Sequence, residues 1–403
     1  MSNYLSKLLG EENVSENESD IIAYSTDASQ LEGLTSFVVW PKTKEQVHQI
    51  ILYARRNKKD LVVRGAGTNL VGSVIPQNSI VMDMSKMNRI LKASKLRFYV
   101  EVEPGANPLK LNNLLKKVNL ELPVTPSSEE ICTIGGMVAT NCYGIKSTGY
   151  GSIRKWVSEL EIIDGSGRLI TVRGSKIEDF CGTEGTAGII TRVKLKLIEK
   201  RPQTSITIYE FDDISDLLQK SRKLKNENVL VMEFISKQLQ KHFTEDPKHL
   251  LIVEYESGQG QITEKEEIER ILDNLKKTPK KLFSEKLINI EDVRIKEEDL
   301  QRFLVYLEDY NIPSYGSISL GIIHPIFKKI EDERIGKMYE FVKEKGNSCV
   351  GSFGIGISKK KYASYEIKEK IKKLKLQYDP DNILNKGKII WVLKNVFSVE
   401  FVK

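Results

Sequence analysis

The sequence contains only four cysteines among its 403 residues: Cys132, Cys142, Cys181 and Cys349. They are too few and too scattered for a disulfide framework, and none of them has the CxxC spacing that zinc and iron–sulfur sites use. These absences exclude a small disulfide-stabilised secreted module and a cysteine metal site. A reducing compartment fits the sequence best.

Long apolar runs are also missing. No run of about 18 apolar residues occurs, and acidic clusters occupy the N-terminus where a signal peptide needs an apolar core. We therefore expect a cytoplasmic protein that does not span a membrane. Charge of one sign does not dominate either, because the sequence has 62 Lys and Arg residues and 55 Asp and Glu residues. The small surplus is spread over both halves of the chain, which argues against a nucleic-acid partner.

Two common nucleotide-binding motifs are incomplete. The run 65–70, GAGTNL, lacks the third glycine of the dinucleotide motif GxGxxG. The run 351–359, GSFGIGISK, has Ile357 where a P-loop requires lysine. The sequence therefore supports neither NAD on a Rossmann fold nor ATP on a P-loop.

The periodicity of the chain predicts two lobes of mixed structure. Residues 42–59 read as an amphipathic helix with a capping box at Thr43 and Gln46, and residues 157–173 read as a β-hairpin. Beyond Arg201-Pro202, strands alternate with longer helices, which favours an antiparallel sheet with helices packed on one side. We expect an α+β protein with domains at 1–201 and 202–375 and a returning C-terminal segment at 376–403.

Glycine-rich loops follow or separate the predicted strands at 64–68, 134–136, 149–151 and 182–188. Glycine lets main-chain N–H groups approach a pyrophosphate or a flat ring closely. A single loop of this kind is most simply a turn. Several of them in order, at strand ends, predict a site for a long anionic ligand.

The segments in and around these loops match a known pattern in order and spacing. They are Tyr24-Ser25 with Asp27, Arg64-Gly65-Ala66-Gly67-Thr68, Thr125-Pro126-Ser127-Ser128, Thr133-Ile134-Gly135-Gly136, Thr140-Asn141, Tyr150-Gly151, and Gly182-Thr183-Glu184-Gly185-Thr186 running into Gly188-Ile189-Ile190-Thr191. Residues 23–200 thereby resemble the two-lobed FAD-binding domain of the vanillyl-alcohol oxidase and p-cresol methylhydroxylase type. The similarity is to the branch that contains D-lactate dehydrogenases and glycolate oxidase flavoprotein subunits.

The resemblance implies FAD as cofactor, with the pyrophosphate in the loop 64–68, the flavin and its phosphates along 126–127 and 133–136, and the adenine at the main chain of Ile190. The cofactor-binding residues that it implies are Arg64, Gly65, Ala66, Gly67, Thr68, Asn69, Pro126, Ser127, Thr133, Gly135, Gly136, Asn141, Tyr150, Gly151, Glu184, Gly185, Gly188, Ile190 and Asn385. Some family members tether FAD through a histidine in the first loop. Thr68 stands at that place here, so we expect noncovalent FAD.

The C-terminal half resembles the cap domain of the same enzymes but departs from it at two motifs. It ends in Asp379-Pro380 and Asn385-Lys386-Gly387-Lys388, like the family's DPxxxxNPGK. The family's HxGxGNxH segment falls on 317–324, where only Gly321 and His324 are retained, and its GEHGIG segment falls on 351–356, where Ser352 and Phe353 replace glutamate and histidine. A divalent metal needs about three carboxylate or imidazole ligands, so we expect no metal.

Two functions remain open. The first is an FAD-dependent dehydrogenase that oxidises a small hydroxylated substrate, such as the 2-hydroxy acids D-lactate or glycolate, and passes electrons to a quinone, a carrier protein or oxygen. His324 is then the candidate base and Arg294 the candidate partner of a substrate carboxylate, although a structural histidine and a surface arginine are the plainer readings. The second is a flavin-carrying, non-catalytic or electron-transfer subunit of a glycolate-oxidase-like complex, which the two altered cap motifs favour.

Some residues have a weaker claim to function. Glu233 and Glu254 end strand-like runs and are candidate replacement bases, but glutamates at strand ends are more simply solvated or paired with lysine. Tyr150 and Tyr315 are candidate pocket hydroxyls by position alone. The tail 389–403 is apolar enough to contact a partner subunit or a membrane surface, and a final strand packed on the core is the simpler reading.

Overall fold

The computed structural model describes residues 2–390 apart from 202 and 331. The strands of its first lobe are β1 (Val14–Ser15), β2 (Leu34–Val39), β3 (Leu61–Arg64), β4 (Gln77–Asp83), β5 (Ile90–Ser94), β6 (Tyr99–Val102), β7 (Leu120–Glu121), β8 (Val157–Ile163), β9 (Leu169–Arg173), β10 (Ile189–Lys196) and β11 (Ile198–Glu199). The helices of this lobe are α1 (Ser2–Leu9), α2 (Glu18–Tyr24), α3 (Lys44–Arg56), α4 (Pro108–Lys116), α5 (Ile134–Thr140) and α6 (Ser147–Tyr150).

The first sheet of this lobe has the order β1-β2-β4-β3, with β2 and β3 both parallel to β4. Helix α3 connects β2 to β3 and confirms the helix predicted at 42–59. The hydroxyl of Thr43 accepts a hydrogen bond from the N–H of Gln46 at 3.3 Å, as a capping box requires. The apolar stripe of α3 is buried in the same core as Phe37 and Ile80 of the sheet.

The second sheet has the order β5-β6-β10-β8-β9 and is antiparallel throughout. Strands β8 and β9 confirm the predicted hairpin, with Glu159 paired to Arg173 and Ile163 to Leu169. Strand β10 lies at the centre of this sheet and starts directly after the glycine loop 182–188. The first lobe therefore places the loops after β3 and before β10 at the ends of buried strands.

The second lobe is built on one antiparallel sheet. Its strands are β12 (Ser205–Phe211), β13 (Val229–Ile235), β14 (His249–Tyr255), β15 (Asn289–Ile290), β16 (Val293–Arg294), β17 (Ser314–Ser317) and β18 (Ile322–Phe327), and its helices are α7 (Ile214–Leu224), α8 (Lys237–Gln240), α9 (Lys265–Lys276), α10 (Thr278–Ser284), α11 (Glu297–Asp309) and α12 (Glu333–Glu344). The strand order is β12-β14-β13-β17-β18-β15, and β16 also pairs with β18.

The prediction that helices cover one side of this sheet is wrong. Leu251 and Val253 of β14 share a core with α7, α11 and α12. Ile252, between them, shares a different core with Ile268 of α9. Alternate residues of a strand point to opposite faces, so α9 packs on the other side of the sheet. The reason is that β14 is apolar on both faces, which a sheet covered on one side does not need.

The chain returns to the first lobe in α13 (Tyr365–Tyr378) and the residues after it. Ile371 and Leu374 pack in the main core of that lobe. After α13, the N–H of Asn385 donates to the carbonyl of Leu61 at 2.8 Å, which brings the C-terminal segment beside β3. Ile389 and Ile390 join the same core as α13, whereas residues 391–403 of the predicted contact tail lie outside the described residues.

The architecture is α+β, as predicted. Within the described ranges, none of the helices combines the length and apolar character needed to cross a bilayer.

Candidate functional site

A cavity of about 680 Å³ lies between the glycine loops of the first lobe and one face of the second-lobe sheet. The predicted cofactor-binding residues that line it are Arg64, Gly65, Ala66, Gly67, Thr68, Asn69, Pro126, Ser127, Thr133, Gly135, Gly136, Glu184, Gly185, Gly188, Ile190 and Asn385. Segments that are far apart in the sequence therefore share one wall.

The loop after β3 carries unpaired main-chain donors. The N–H groups of residues 66–69 donate to no acceptor within the part of the chain that the structure describes. Gly67 has a φ of 69°, which L side chains rarely adopt. The side-chain oxygen of Asn69 accepts from the N–H groups of Val71 at 2.9 Å and Ser73 at 2.8 Å, so this side chain shapes the loop. Successive free N–H groups in a turn form a concave site for an anion.

Close packing of two glycines brings this loop against the start of α5. A Cβ at Gly65 would lie 2.4 Å from the Oγ1 of Thr133, and one at Gly135 would lie 2.6 Å from Pro104. The same Oγ1 accepts a hydrogen bond from the N–H of Gly136 at 3.2 Å and so caps the helix. A larger residue at Gly65 would push the loop away from α5, and a larger residue at Gly135 would push α5 away from Pro104.

Arg64 fastens the loop to the N-terminal segment. Its guanidinium donates to the carbonyl of Thr26 at 2.6 Å and lies 5.1 Å from the ring centroid of Tyr24. Burial lowers the pKa of Arg64, and the nearby carboxylates of Asp27 and Asp83 oppose that effect. Tyr24 and Asp27, which belong to the matched sequence pattern, therefore interact with Arg64 and through it hold the loop in place.

Glu184 ties two loops together through its buried carboxylate. It accepts hydrogen bonds from the N–H groups of Ile355 at 2.6 Å and Gly356 at 2.9 Å, and from the hydroxyl of Ser73. Burial raises the pKa of Glu184 despite these donors. The side chain of Asn385 donates to the carbonyl of Glu184, so the C-terminal segment also holds this loop in place.

The opposite wall is one face of the second-lobe sheet. Two cross-strand rows line the cavity, with Glu233, Ser317 and Ile322 in the first and Ile235, Tyr315 and His324 in the second. Residues paired across antiparallel strands point to the same face. The sheet register therefore places Glu233 and His324 on one wall, in adjacent rows.

His324 is held by both stacking and hydrogen bonding. Its ring is stacked on Phe353, with the centroids 4.7 Å apart, and lies 4.9 Å from the ring of Tyr315. Its Nδ1 lies 3.4 Å from an oxygen of Asp292 and 3.4 Å from the carbonyl of Glu291. Burial lowers the pKa of His324, and the attraction of Asp292 raises it only in part. The imidazole is therefore neutral near neutral pH and can accept a proton or hydrogen bond at Nε2.

Asp292 organises the loop that carries Phe353. One oxygen of this fully buried carboxylate accepts from the N–H groups of Gly351 at 3.0 Å, Ser352 at 2.6 Å and Phe353 at 2.8 Å. The buried ammonium of Lys359 donates to the Asp292 carbonyl at 2.6 Å and lies 3.7 Å from its carboxylate. This network sets the position of Phe353 against His324.

Four predicted site residues do not line the cavity: Asn141, Tyr150, Gly151 and Arg294. Asn141 has a φ of 50° and ends α5. The hydroxyl of Tyr150 accepts from the Nε of Arg201 at 3.0 Å. Arg294 lines a separate cavity of about 420 Å³, and its guanidinium carbon lies 4.9 Å from the ring centroid of Tyr143, which lines the main cavity.

Sequence reasoning missed three charged residues of the site: Asp292, Lys359 and Lys280. Lys280 lines the cavity, and the other two residues hold the loop that carries Phe353. The available signal was weak, because Asp292 lies in the short charged run 291–294, EDVR, and the lysines lie in lysine-rich segments. Across residues 2–390, gaps excepted, no group of three or more His, Cys, Asp and Glu side chains is arranged to hold a metal ion.

The cavity fits FAD. Its volume is within the range of about 300 to 1,000 Å³ that cofactor sites occupy. The free N–H groups of residues 66–69 suit a pyrophosphate. Thr68, the residue on which the expectation of noncovalent FAD rests, lines the cavity.

Comparison with known proteins agrees with this site. The family described as FAD binding domain matches residues 35–173, and the family described as FAD linked oxidases, C-terminal domain, matches residues 322–389. The glycolate oxidase subunit GlcD of Bacillus subtilis is 26% identical over 96% of this chain and 95% of its own length. The D-2-hydroxyglutarate dehydrogenase of Stutzerimonas stutzeri is 27% identical over 88% of this chain and 90% of its own length.

Two further similarities extend the comparison. The D-lactate dehydrogenase of Archaeoglobus fulgidus is 25% identical over 88% of this chain and 91% of its own length. A solved structure of alkyldihydroxyacetonephosphate synthase superposes with a TM-score of 0.72 over 95% of this chain and 83% of that protein, at 16% identity. The structural similarity at this identity shows a shared fold.

Proposed function

We propose that this FAD-dependent oxidoreductase, which matches the FAD binding domain over residues 35–173 and the C-terminal domain of FAD linked oxidases over residues 322–389, oxidises the CH–OH group of a small 2-hydroxy acid. One observation carries this proposal. The cavity is lined on one side by the loops that suit FAD and on the other by a sheet face that bears two proton acceptors, Glu233 and His324. The relatives named for glycolate, D-lactate and D-2-hydroxyglutarate oxidation narrow the substrate class.

The chain's own residues have distinct tasks in this reaction. The N–H groups of residues 66–69 bind the pyrophosphate, and the predicted cofactor-binding residues along the first-lobe wall hold the rest of FAD. When bound, FAD supplies the acceptor for the hydride that leaves the substrate carbon. His324, through Nε2, hydrogen-bonds the substrate hydroxyl and orients it. Phe353 and Tyr315 exclude water from this side of the cavity by stacking around the imidazole.

The mouth of the cavity offers a cation for the substrate carboxylate. Lys276 pairs with Glu129 at 2.6 Å and Lys277 pairs with Asp273 at 2.6 Å. Lys280 also lines the cavity, and no hydrogen bond or ion pair engages it among the described residues. Its ammonium is therefore available for a substrate anion.

A second proposal is that the chain works as a subunit of a larger complex that passes electrons to a quinone or a carrier protein. Two relatives, from Bacillus subtilis and Escherichia coli, are named as glycolate oxidase subunits. The replacement of two cap motifs and the stacking of Phe353 on His324 favour this reading, because both reduce the polar groups around the substrate.

Anaerobic titration of the purified protein tests both proposals. The flavin spectrum is recorded, and glycolate, D-lactate, D-2-hydroxyglutarate and unrelated alcohols are then added one at a time. We expect one or more 2-hydroxy acids to bleach the oxidised flavin band while the unrelated alcohols do not. A flavin that dithionite reduces but no hydroxy acid reduces would support the subunit proposal, and failure to bind FAD at all would overturn both.

A further inference from the structure

One carboxylate on the sheet wall of the cavity has no partner. Glu233 lies on β13 and lines the cavity. No described residue forms a hydrogen bond or an ion pair with its side chain. Glu254 on the adjacent strand β14 is paired through one carboxylate oxygen, which lies 2.7 Å from the ammonium of Lys146, while its other oxygen has no partner among the described residues. Glu233 is partly buried, and an unpaired carboxylate that faces a cavity is a candidate functional group.

We propose that Glu233 is the catalytic base of this site, a role that rests on the proposed oxidation of a 2-hydroxy acid. The substrate O–H bond breaks and its proton passes to a carboxylate oxygen of Glu233. The C–H bond of the same carbon breaks, and its electron pair leaves as hydride to bound FAD. The substrate departs as the 2-oxo acid, FAD is reduced by two electrons, and Glu233 is left protonated and neutral.

Burial favours Glu233 over His324 as the proton acceptor. A carboxylate that takes a proton loses its charge, whereas an imidazole that takes one gains a charge, so the same poorly solvated wall promotes the first step and opposes the second. Burial accordingly raises the pKa of Glu233 to about 8 and lowers that of His324. Asp292 does not make His324 the better proton acceptor, because its carboxylate is already shared by three N–H groups and Lys359.

Glu233 and His324 therefore have different roles: Glu233 accepts the proton, and His324 positions the substrate. Strand β17 lies between β13 and β18, so Glu233 and His324 are two strands apart, about 10 Å across the sheet, and also one row apart. The register places Ser317 of β17 directly opposite Glu233. We place the substrate hydroxyl above β17, where it can donate to Glu233 while His324 positions the substrate from the adjacent row.

Desolvation alone shifts the pKa of Glu233. The titratable side chains that line the same cavity in the second lobe are Tyr315 on β17, His324 on β18, Asp273 and Lys276 on α9, Lys277 after α9 and Lys280 on α10. Those in the first lobe are Arg64, Glu129, Glu130, Cys132, Cys142, Tyr143 and Glu184. The pKa of Tyr315 is raised well beyond neutrality by burial and by Glu233 itself. Between about pH 6.5 and 9, Glu233 is then the group of the sheet wall that titrates.

The first experiment compares flavin reduction in the Glu233→Gln variant, the His324→Asn variant and wild type, as FAD-bound proteins under anaerobic stopped flow. A general base contributes about 10²- to 10⁴-fold, so we expect E233Q to reduce its flavin at least a hundredfold more slowly. The wild-type rate should rise with pH, reach half of its maximum near pH 8 and level off above about pH 9. E233Q should lose that rise, and H324N should keep it. Glu210→Gln, an exposed glutamate on β12, is the matched control and should match wild type.

The second experiment needs no substrate and measures the melting temperature of the same proteins from about pH 5 to 9. The pKa of Glu233 is higher in the folded protein than in the unfolded chain, so folded protein binds the extra proton and stability falls as pH rises toward about 8. Gln carries no such proton. The melting temperature of E233Q should therefore exceed that of wild type, and the difference should grow up to about pH 8. E210Q should have the melting temperature of wild type throughout.

The outcomes separate this role from the proposed function. If no 2-hydroxy acid reduces the wild-type flavin, the proposed function fails and the role of Glu233 fails with it. If wild type is reduced and E233Q is reduced within about threefold of it, only the role of Glu233 fails. An E233Q variant that melts below wild type at every pH would show a structural carboxylate and also overturn the role.

Discussion

The imidazole of His324 is stacked on the ring of Phe353, with 4.7 Å between the centroids and 11° between the planes. An aromatic ring at this position does more than fill space, because it removes water from one side of the histidine. Together with Tyr315 it makes an apolar surface around the one histidine of the cavity. This surface keeps the imidazole neutral.

Replacement of Phe353 by alanine should raise the pKa of His324. The lowered pKa of His324 comes first from burial, and Asp292 continues to attract the protonated form when the ring is gone. Proton titration of the imidazole by NMR measures the change, with His324→Asn identifying the resonance. A pKa that stays the same in F353A would show that the phenylalanine does not control the solvation of the histidine.

Asp292→Asn should destabilise the protein by about 3 kcal/mol, the scale for breaking a buried charged pair. The amide places an N–H₂ group or a weaker acceptor against the N–H groups of residues 351–353, and it leaves Lys359 without its buried counter-charge. Urea unfolding gives the free energy. The Asp292→Asn/Lys359→Met double variant should lose less than the sum of the single variants, and additive losses would contradict the coupling.

Gly65→Ala should weaken FAD binding by roughly five- to hundredfold, which corresponds to about 1 to 3 kcal/mol of overpacking. The new Cβ would meet the Oγ1 of Thr133 at 2.4 Å and move the loop away from α5. Titration of apoprotein with FAD measures the dissociation constant. Adding Thr133→Ala should restore part of the affinity, and Gly336→Ala, where no atom lies within 4 Å, should leave it unchanged.

Lys280→Met should raise KM for a 2-hydroxy acid about tenfold with little change in kcat, because one charged hydrogen bond to the substrate carboxylate is lost. Steady-state kinetics with the acid that reduces the flavin gives both constants. Lys281→Met is the control, since Lys281 donates to the side chain of Asn274 at 3.1 Å and does not line the cavity. Equal KM values in the two variants would exclude Lys280 as the carboxylate partner.

Much of the first lobe could be read from local pattern. The cap at Thr43, the hairpin at 157–173 and the glycine loop at 64–68 depend on residues that are close in sequence, and the structure has each of them there. The second lobe was harder. The sequence predicts strands alternating with longer helices there, but the side of the sheet on which α9 packs depends on Ile252 of β14, which is distant in sequence from Ile268 of the helix.

The composition and motifs predicted an α+β chain with a site for a long anionic ligand, because a cofactor loop is a short stretch whose glycines are needed for its own backbone and close contacts. The resemblance of these motifs to a known family then identified the ligand as FAD. The arrangement around the substrate was not contained in any such stretch. Glu233, Asp292, His324 and Phe353 come together through strand register and through a loop that a distant carboxylate holds. The sequence shows that a glutamate lies in this strand, but its proton affinity depends on the water that folding removes from the cavity, which only the tertiary structure decides.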